Sequence, residues 1–250
     1  MAWIVTALPS FLASAVETVE ALTVVLAVGL TRGWRSALLG TGAALLVLAG
    51  LVAILGPALS IIPIDVLRLV VGALLLIFGL QWLRKAILRA SGYKPLHDEQ
   101  EAFQAQITAA EGQSRPSQGR LDPYAFTLSF KSVLLEGLEV AFIVITFGAA
   151  AGQMPAAIVG AASAVVLTVA VGVAVKGPLA RVPENWIKFV VGLLLTSFGT
   201  FWGAEGAGIS WPGSDPAILG LLAVYSLVSW GYVQLLRQSH AEEQALRRLA

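Results

Sequence analysis

The sequence predicts an all-α integral membrane protein with seven transmembrane helices, arranged as two inverted three-helix repeats plus one extra helix. Three observations predict this fold. Hydrophobic residues make up 57% of the 250 residues, charged residues only 12%, and the mean hydropathy is +0.82. The chain contains seven long apolar runs, and its two halves resemble each other at an offset near 120 residues. Such a composition is typical of membrane-embedded chains rather than soluble domains.

Seven apolar runs are each long enough to cross about 30 Å of hydrocarbon. They cover residues 3–30, 35–56, 65–88, 124–150, 155–176, 184–203 and 216–236. Residues 90–123 read as a polar cytoplasmic loop that could contain a short amphipathic helix, and residues 238–250 as a polar tail. No positively charged leader precedes the first apolar run, so we expect no cleaved signal peptide.

The internal repeat is clearest where residues 63–82 align with residues 183–202, with nine of twenty positions identical. We therefore assign residues 1–89 to a first three-helix repeat and residues 124–208 to a second, followed by a seventh helix in residues 209–237. Because three is odd, the second repeat must cross the membrane in the opposite sense. Inverted repeats are common in secondary transporters, where substrate binds near the midplane. The seventh helix has no counterpart, and we expect it at the periphery or at a contact in a homo-oligomer.

Basic residues are distributed very unevenly across the predicted membrane. With seven spans, fifteen of the sixteen Lys and Arg residues fall on one side, and only Arg68 falls on the other. The positive-inside rule then places the amino terminus outside and the carboxyl terminus in the cytoplasm. We expect a multi-pass protein of a bacterial-type inner membrane.

Two pairs of glutamates lie inside the apolar runs, Glu17 with Glu20 and Glu136 with Glu139. A spacing of three puts both members of a pair on one helical face. Both pairs lie near the middle of their spans, so an inverted two-fold can bring all four carboxylates to one central site. Four ionised, unpaired carboxylates there would cost on the order of 10 kcal/mol. A second set of candidate ligands consists of nearby hydroxyls: Ser14, Thr18, Ser132 and Thr146.

No arginine, lysine or histidine lies within a helical turn of either pair, so protonation, a bound cation or an exchange of the two must offset that cost. Repulsion and desolvation disfavour several charged carboxylates together, and we expect the site to release protons when a cation binds.

The available side chains limit the chemistry of the site. The chain has no cysteine, and its two histidines, His97 and His240, lie in polar segments. Oxygen ligands alone favour Mg²⁺, Ca²⁺ or Mn²⁺ and tolerate Fe²⁺. An intramembrane glutamate protease would need an activating partner within a span, so we expect no enzyme. We also expect no cofactor and no nucleic-acid partner; the partners are the lipid bilayer and a metal cation as substrate.

The motif Glu136-Gly137-Leu138-Glu139 resembles the Arg-Glu-Gly-Leu-Glu motif of the high-affinity iron permease family, and Glu17-x-x-Glu20-Ala21 resembles a second copy. Val16 and Leu135 stand where that motif has arginine. The duplicated acidic motif is also distantly similar to that of the two-repeat calcium/manganese–proton exchangers. Both resemblances imply a transporter of divalent cations.

The leading hypothesis is a proton-coupled secondary transporter that moves a divalent metal (Fe, Mn, Ca or similar) by alternating access, with the four glutamates as ligands. One alternative is a transporter of small organic cations or amino acids, for which we expect aromatic groups at the site. Another is a non-transport membrane assembly protein whose buried glutamates are protonated.

Overall fold

The structure is a computed structural model that describes residues 2–59, 62–114, 120–175, 184–214 and 216–249. Within these ranges it has eight helices and no strand. The helices are α1 (Ala2–Arg32), α2 (Trp34–Leu59), α3 (Ile64–Ala90), α4 (Glu99–Glu111), α5 (Pro123–Ala150), α6 (Met154–Val175), α7 (Glu184–Gly206) and α8 (Ala217–Leu249). Lys176, Arg181 and Pro183, which entered the predictions of orientation and repeat, lie outside the described residues.

Seven of the described helices, all except α4, are long and apolar enough to cross a membrane. This confirms the prediction of an all-α fold with seven helices able to span a membrane. Apolar side chains exposed along these helices imply contact with lipid. A helix is suited to this environment because all its backbone hydrogen bonds are made within the segment.

The chain divides into two compact units, each containing helices from both predicted repeats. Unit 1 comprises Met1–Ile61 and Asp98–Val182, and it contains α1, α2, α4, α5 and α6. Unit 2 comprises Ile62–His97 and Pro183–Ala250, and it contains α3, α7 and α8. Residues close in space therefore come from distant parts of the sequence.

In unit 1, glycines allow two pairs of helices to approach closely. A Cβ atom at Gly40 of α2 would clash with the carbonyl oxygen of Phe126 on α5. A Cβ atom at Gly160 of α6 would likewise clash with the carbonyl oxygen of Ala7 on α1. Small residues at such contacts are how membrane helices gain van der Waals packing, because lipid gives them little hydrophobic drive to associate.

In unit 2, α3 packs against α7 through the same device. A Cβ atom at Gly79 would clash with the backbone of Thr196, and one at Gly199 would clash with the backbone of Leu76. The hydroxyl of Thr196 donates to the carbonyl of Gly192 at 2.7 Å, so it is satisfied within its own helix. This contact has no room for a side chain at either glycine.

The last helix, α8, contacts α7 and α3 of unit 2 but is largely exposed. Only 11% of the most apolar 18-residue stretch of α8 is buried within the protein, whereas the corresponding value for α1 is 61%. The hydroxyls of Tyr225 and Thr200 are 2.8 Å apart, and Arg237 donates to the carbonyl of Ala90 at 2.8 and 3.0 Å. Few specific contacts therefore hold α8 to its neighbours.

The segment predicted as a polar loop contains α4, which packs on α1. Asp98 caps its first turn by accepting from the backbone N–H groups of Gln100 and Glu101. Phe103 is 6% exposed and lies in a cluster with Leu26 of α1. A residue of the segment predicted as a polar loop thus becomes part of the buried core of unit 1.

Arg32, at the end of α1, joins α1 to the end of α4 and to the residue that precedes α5. Its guanidinium donates to Asp122 Oδ2 at 2.6 Å and to the carbonyls of Ala110, Gln113 and Ser114 at 2.7–3.0 Å. Both charged side chains are buried, with 1% and 5% of their surface exposed. Carbonyls in the last turn of a helix lack partners within the helix, and the guanidinium donates to one of them, that of Ala110, and to the two carbonyls that follow α4.

Asp122 is the N-cap of α5, and Pro123 follows at the first helical position, where its missing N–H is not needed. One carboxylate oxygen accepts from the backbone N–H groups of Tyr124 and Ala125. Burial alone would raise the pKa of Asp122, but the hydrogen bond from Arg32, the backbone N–H bonds and the Arg32 charge together hold this pKa below its usual 3.8. The carboxylate therefore fixes where α5 begins relative to α1.

Candidate metal centre

Three of the four predicted glutamates come together inside unit 1. Glu17 and Glu20 lie on α1 and Glu136 lies on α5, and one carboxylate oxygen from each lies within 4.8 Å of the others. All three belong to segments long and apolar enough to span a membrane. Two helices far apart in sequence thus supply oxygen ligands to one small volume.

The three carboxylates differ in exposure. Glu17 is only 2% exposed, whereas Glu20 and Glu136 are half-buried. An ionised carboxylate in such surroundings is strongly disfavoured unless a cation or hydrogen bonds compensate its charge. Three carboxylates this close also repel one another when ionised, so the cluster can hold a divalent cation, protons, or each in turn.

Glu139, the fourth predicted ligand, is half-buried on α5 and is not a member of the three-carboxylate group. Its counterpart in the sequence repeat, Glu20, is a member. The site is therefore asymmetric, with two carboxylates from α1 and one from α5. A spacing of three on each helix predicts a shared face, but it does not determine how deeply each side chain reaches between the helices.

The hydroxyls in the second set of candidates are used differently from one another. Thr18 donates to the carbonyl of Ser14 at 2.6 Å, and Thr146 donates to the carbonyls of Phe142 and Ile143 at 2.7 and 3.0 Å. Both hydroxyl protons are therefore used in hydrogen bonds to backbone carbonyls of the same helix. The Ser14 side chain is fully buried, and its hydroxyl has no hydrogen-bond partner in the described structure. Ser132 is half-buried.

A cavity of about 290 Å³ adjoins the carboxylates and is formed by side chains of α1, α2, α5 and α6. Glu17 and Glu136 line it, and most of the remaining lining is Leu, Val and Ala. Thr41 and Trp34 of α2 also line it. Neither was predicted, since α2 carries no charged residue beyond Arg35 and its apolar run gives no periodic signal. The sequence observation closest to Thr41 was that its neighbour Gly40 aligns with Gly160 in the repeat.

The donor set fits a hard divalent cation. Carboxylate oxygens suit Mg²⁺, Ca²⁺ and Mn²⁺, and the group contains no sulfur or imidazole to favour copper or a dedicated zinc site. Three carboxylates carry more negative charge than one divalent cation neutralises, so a bound cation would leave room for at least one proton.

No family model, curated protein or solved structure matches this chain.

Proposed function

We propose that this protein is a secondary transporter that carries a divalent metal cation across the membrane by alternating access, in exchange for protons. The observation that carries the proposal is the approach of Glu17, Glu20 and Glu136 within 4.8 Å on two apolar, membrane-length helices. A cation would be the transported substrate, coordinated by these three carboxylates. Glu139 would be a fourth carboxylate close along the chain but outside the group.

The inverted repeat is part of this proposal, and reciprocal helix contacts support it. In unit 1, Gly40 against Phe126 and Gly160 against Ala7 are the same contact displaced by 119–120 residues in each direction. Transporters built from inverted repeats bind substrate near the midplane where the repeats meet.

Unit 2, considered by itself, has the same reciprocity. Gly79 against Thr196 and Gly199 against Leu76 exchange under an offset of 120 residues. Helices α3 and α7 occupy corresponding places in the two proposed repeats, so a two-fold relation would map their contact onto itself.

We further propose that the amino terminus faces the outside and the carboxyl terminus the cytoplasm of a bacterial-type inner membrane. The concentration of basic residues on one side of the spans supports this orientation. The proposed substrates include Fe²⁺, since the motif at Glu136 and Glu139 resembles that of the high-affinity iron permeases. Mn²⁺ and Ca²⁺ suit the oxygen ligands equally well.

The proposal is tested by metal flux into proteoliposomes that contain a metal-quenched dye, with a pH-sensitive dye in parallel vesicles. We expect Mn²⁺ uptake with proton movement in the opposite direction. Glu17→Gln, Glu20→Gln and Glu136→Gln should abolish uptake, because each removes one anionic ligand while preserving side-chain volume. Glu101→Gln, which changes an exposed carboxylate on α4, is the control and should transport like the wild type. Undiminished flux in the three site variants would refute the proposal.

The alternative of a transporter for small organic cations is favoured by one observation. Trp34 lines the same cavity as Glu17 and Glu136, beside a largely aliphatic surface. An aromatic face attracts organic cations, and an apolar cavity accommodates their hydrocarbon parts. Competition decides between the two: an organic amine that blocks Mn²⁺ uptake and is itself accumulated would favour this alternative. A protein with no flux and no metal-dependent thermal shift would instead fit the membrane assembly alternative.

A further inference from the structure

Thr41 on α2 differs from six other helical threonines in how its hydroxyl is used. These six donate to the carbonyl four residues earlier in their own helix: Thr18, Thr31, Thr108, Thr146, Thr196 and Thr200. Thr41 makes no such bond; its Oγ1 atom is buried and has no hydrogen-bond partner in the described structure. A buried polar atom without a partner calls for an explanation, and one explanation is an ion or an ordered water at that position.

Thr41 also lines the cavity that adjoins the carboxylates. Glu17 and Glu136 line the same cavity, and Thr41 comes from a helix that supplies no carboxylate to the group. Ser14, one helical turn before Glu17, is fully excluded from solvent and likewise has no hydrogen-bond partner there. Two unsatisfied hydroxyl oxygens therefore lie in the same region of unit 1 as the carboxylates.

We propose that Thr41 supplies a neutral oxygen ligand, directly or through one water molecule, to the cation held by Glu17, Glu20 and Glu136. This inference rests on the proposed function and adds to it a ligand from a third helix. Mn²⁺ and Ca²⁺ take six or more oxygen ligands, of which the carboxylates supply only part. A hydroxyl raises the coordination number without adding negative charge to a site that already carries an excess.

The ligand has no equivalent in the other proposed repeat. Gly40 aligns with Gly160, so Thr41 aligns with Ala161, which packs in an apolar cluster with Val144. The neutral ligand on α2 thus increases the asymmetry already present in the carboxylates. The cation site is off-centre with respect to the two-fold relation proposed for the helices.

Three substitutions test the proposal with Mn²⁺ alone, measured by calorimetric titration of the full chain in detergent. Thr41→Val replaces the hydroxyl by a methyl group of similar size, and we expect it to weaken Mn²⁺ binding about tenfold. Thr41→Ser keeps the oxygen and should bind within about twofold of the wild type. Thr31→Val is the control and should bind Mn²⁺ like the wild type, because Thr31 donates to the carbonyl of Ala27 and is not among the residues that line this cavity.

A measurement without metal distinguishes a ligand from a structural hydroxyl. Since the Thr41 hydroxyl has no protein partner, Thr41→Val should melt at the wild-type temperature or above it when no metal is present. A lower melting temperature for Thr41→Val, together with weak Mn²⁺ binding by Thr41→Ser, would overturn the inference. So would wild-type binding in Thr41→Val while Glu17→Gln fails to bind. Wild-type binding in Glu17→Gln would instead overturn the proposed function itself.

Discussion

Removing the carboxylate of Asp122 should strongly destabilise unit 1. Asp122 pairs with Arg32 in a nearly solvent-free position and caps α5. Breaking a buried ion pair by removing one partner costs about 3–5 kcal/mol, and losing an aspartate cap costs about 1 kcal/mol more. Asp122→Ala should therefore lose about 4–6 kcal/mol. For a chain of this size that lowers Tm by about 8–24 °C.

The assay is thermal denaturation in detergent, with Asp122→Asn and Asp98→Ala measured beside Asp122→Ala. Asn retains an acceptor for the backbone N–H groups of α5 and loses the charge, so Asp122→Asn should lose less than Asp122→Ala. Asp98 caps α4 from an exposed position, and its replacement should cost about 1 kcal/mol or less.

The pH dependence of this effect has a definite sign. The pKa of Asp122 lies below its usual value in the folded protein, so the carboxylate stabilises the fold at pH values above the unfolded pKa of about 3.9. Its contribution disappears as the pH falls further, through the folded pKa. The Tm difference between wild type and Asp122→Asn should be constant from neutral pH to about pH 5 and shrink below about pH 4. A difference under about 2 °C at neutral pH, or one that persists in acid, would refute the reasoning.

Three further outcomes follow from the packing and the site. Gly79→Ala should lower Tm, because α3 and α7 leave no room for a Cβ atom there, whereas Gly220→Ala, with open space around it, should not; equal Tm values would contradict the close packing. Phe103 is buried against α1, so Phe103→Ala should detach α4 from α1. A protease should then cleave α4 faster, while the seven apolar helices stay protected. Unchanged cleavage of α4 would show that Phe103 does not hold it in place. Glu136→Gln should weaken Mn²⁺ binding more than Glu139→Gln, and equal losses in calorimetric titration would favour a four-carboxylate site over the three-carboxylate group.

Much of this fold could be predicted because membranes impose simple rules on a sequence. Apolar runs of the right length identified all seven helices of the described structure that are long and apolar enough to span a membrane. Glutamates inside such runs were conspicuous because an ionised carboxylate is costly there, and three of the four lie together. These predictions depend only on local composition and helical spacing.

What could not be predicted depends on contacts between distant segments. Phe103 lies in a polar stretch, and nothing in its neighbours indicates that it packs against Leu26. In the sequence, Arg32 was only one of the basic residues on the predicted cytoplasmic side, although its guanidinium is buried against Asp122, ninety residues later. Thr41 lies in an apolar run and carries no charge, so its place in the cavity that Glu17 and Glu136 line depends on how α2 packs against α1 and α5.

The unequal division of the three carboxylates has a mechanical consequence. A cation held by this group is attached to α1 through Glu17 and Glu20 but to α5 only through Glu136. In the proposed transport cycle, a movement that separates the two helices would break the single contact to Glu136 first, so the cation would stay bound to α1. The two helices would then have different roles, with α1 retaining the cation and α5 binding and releasing it.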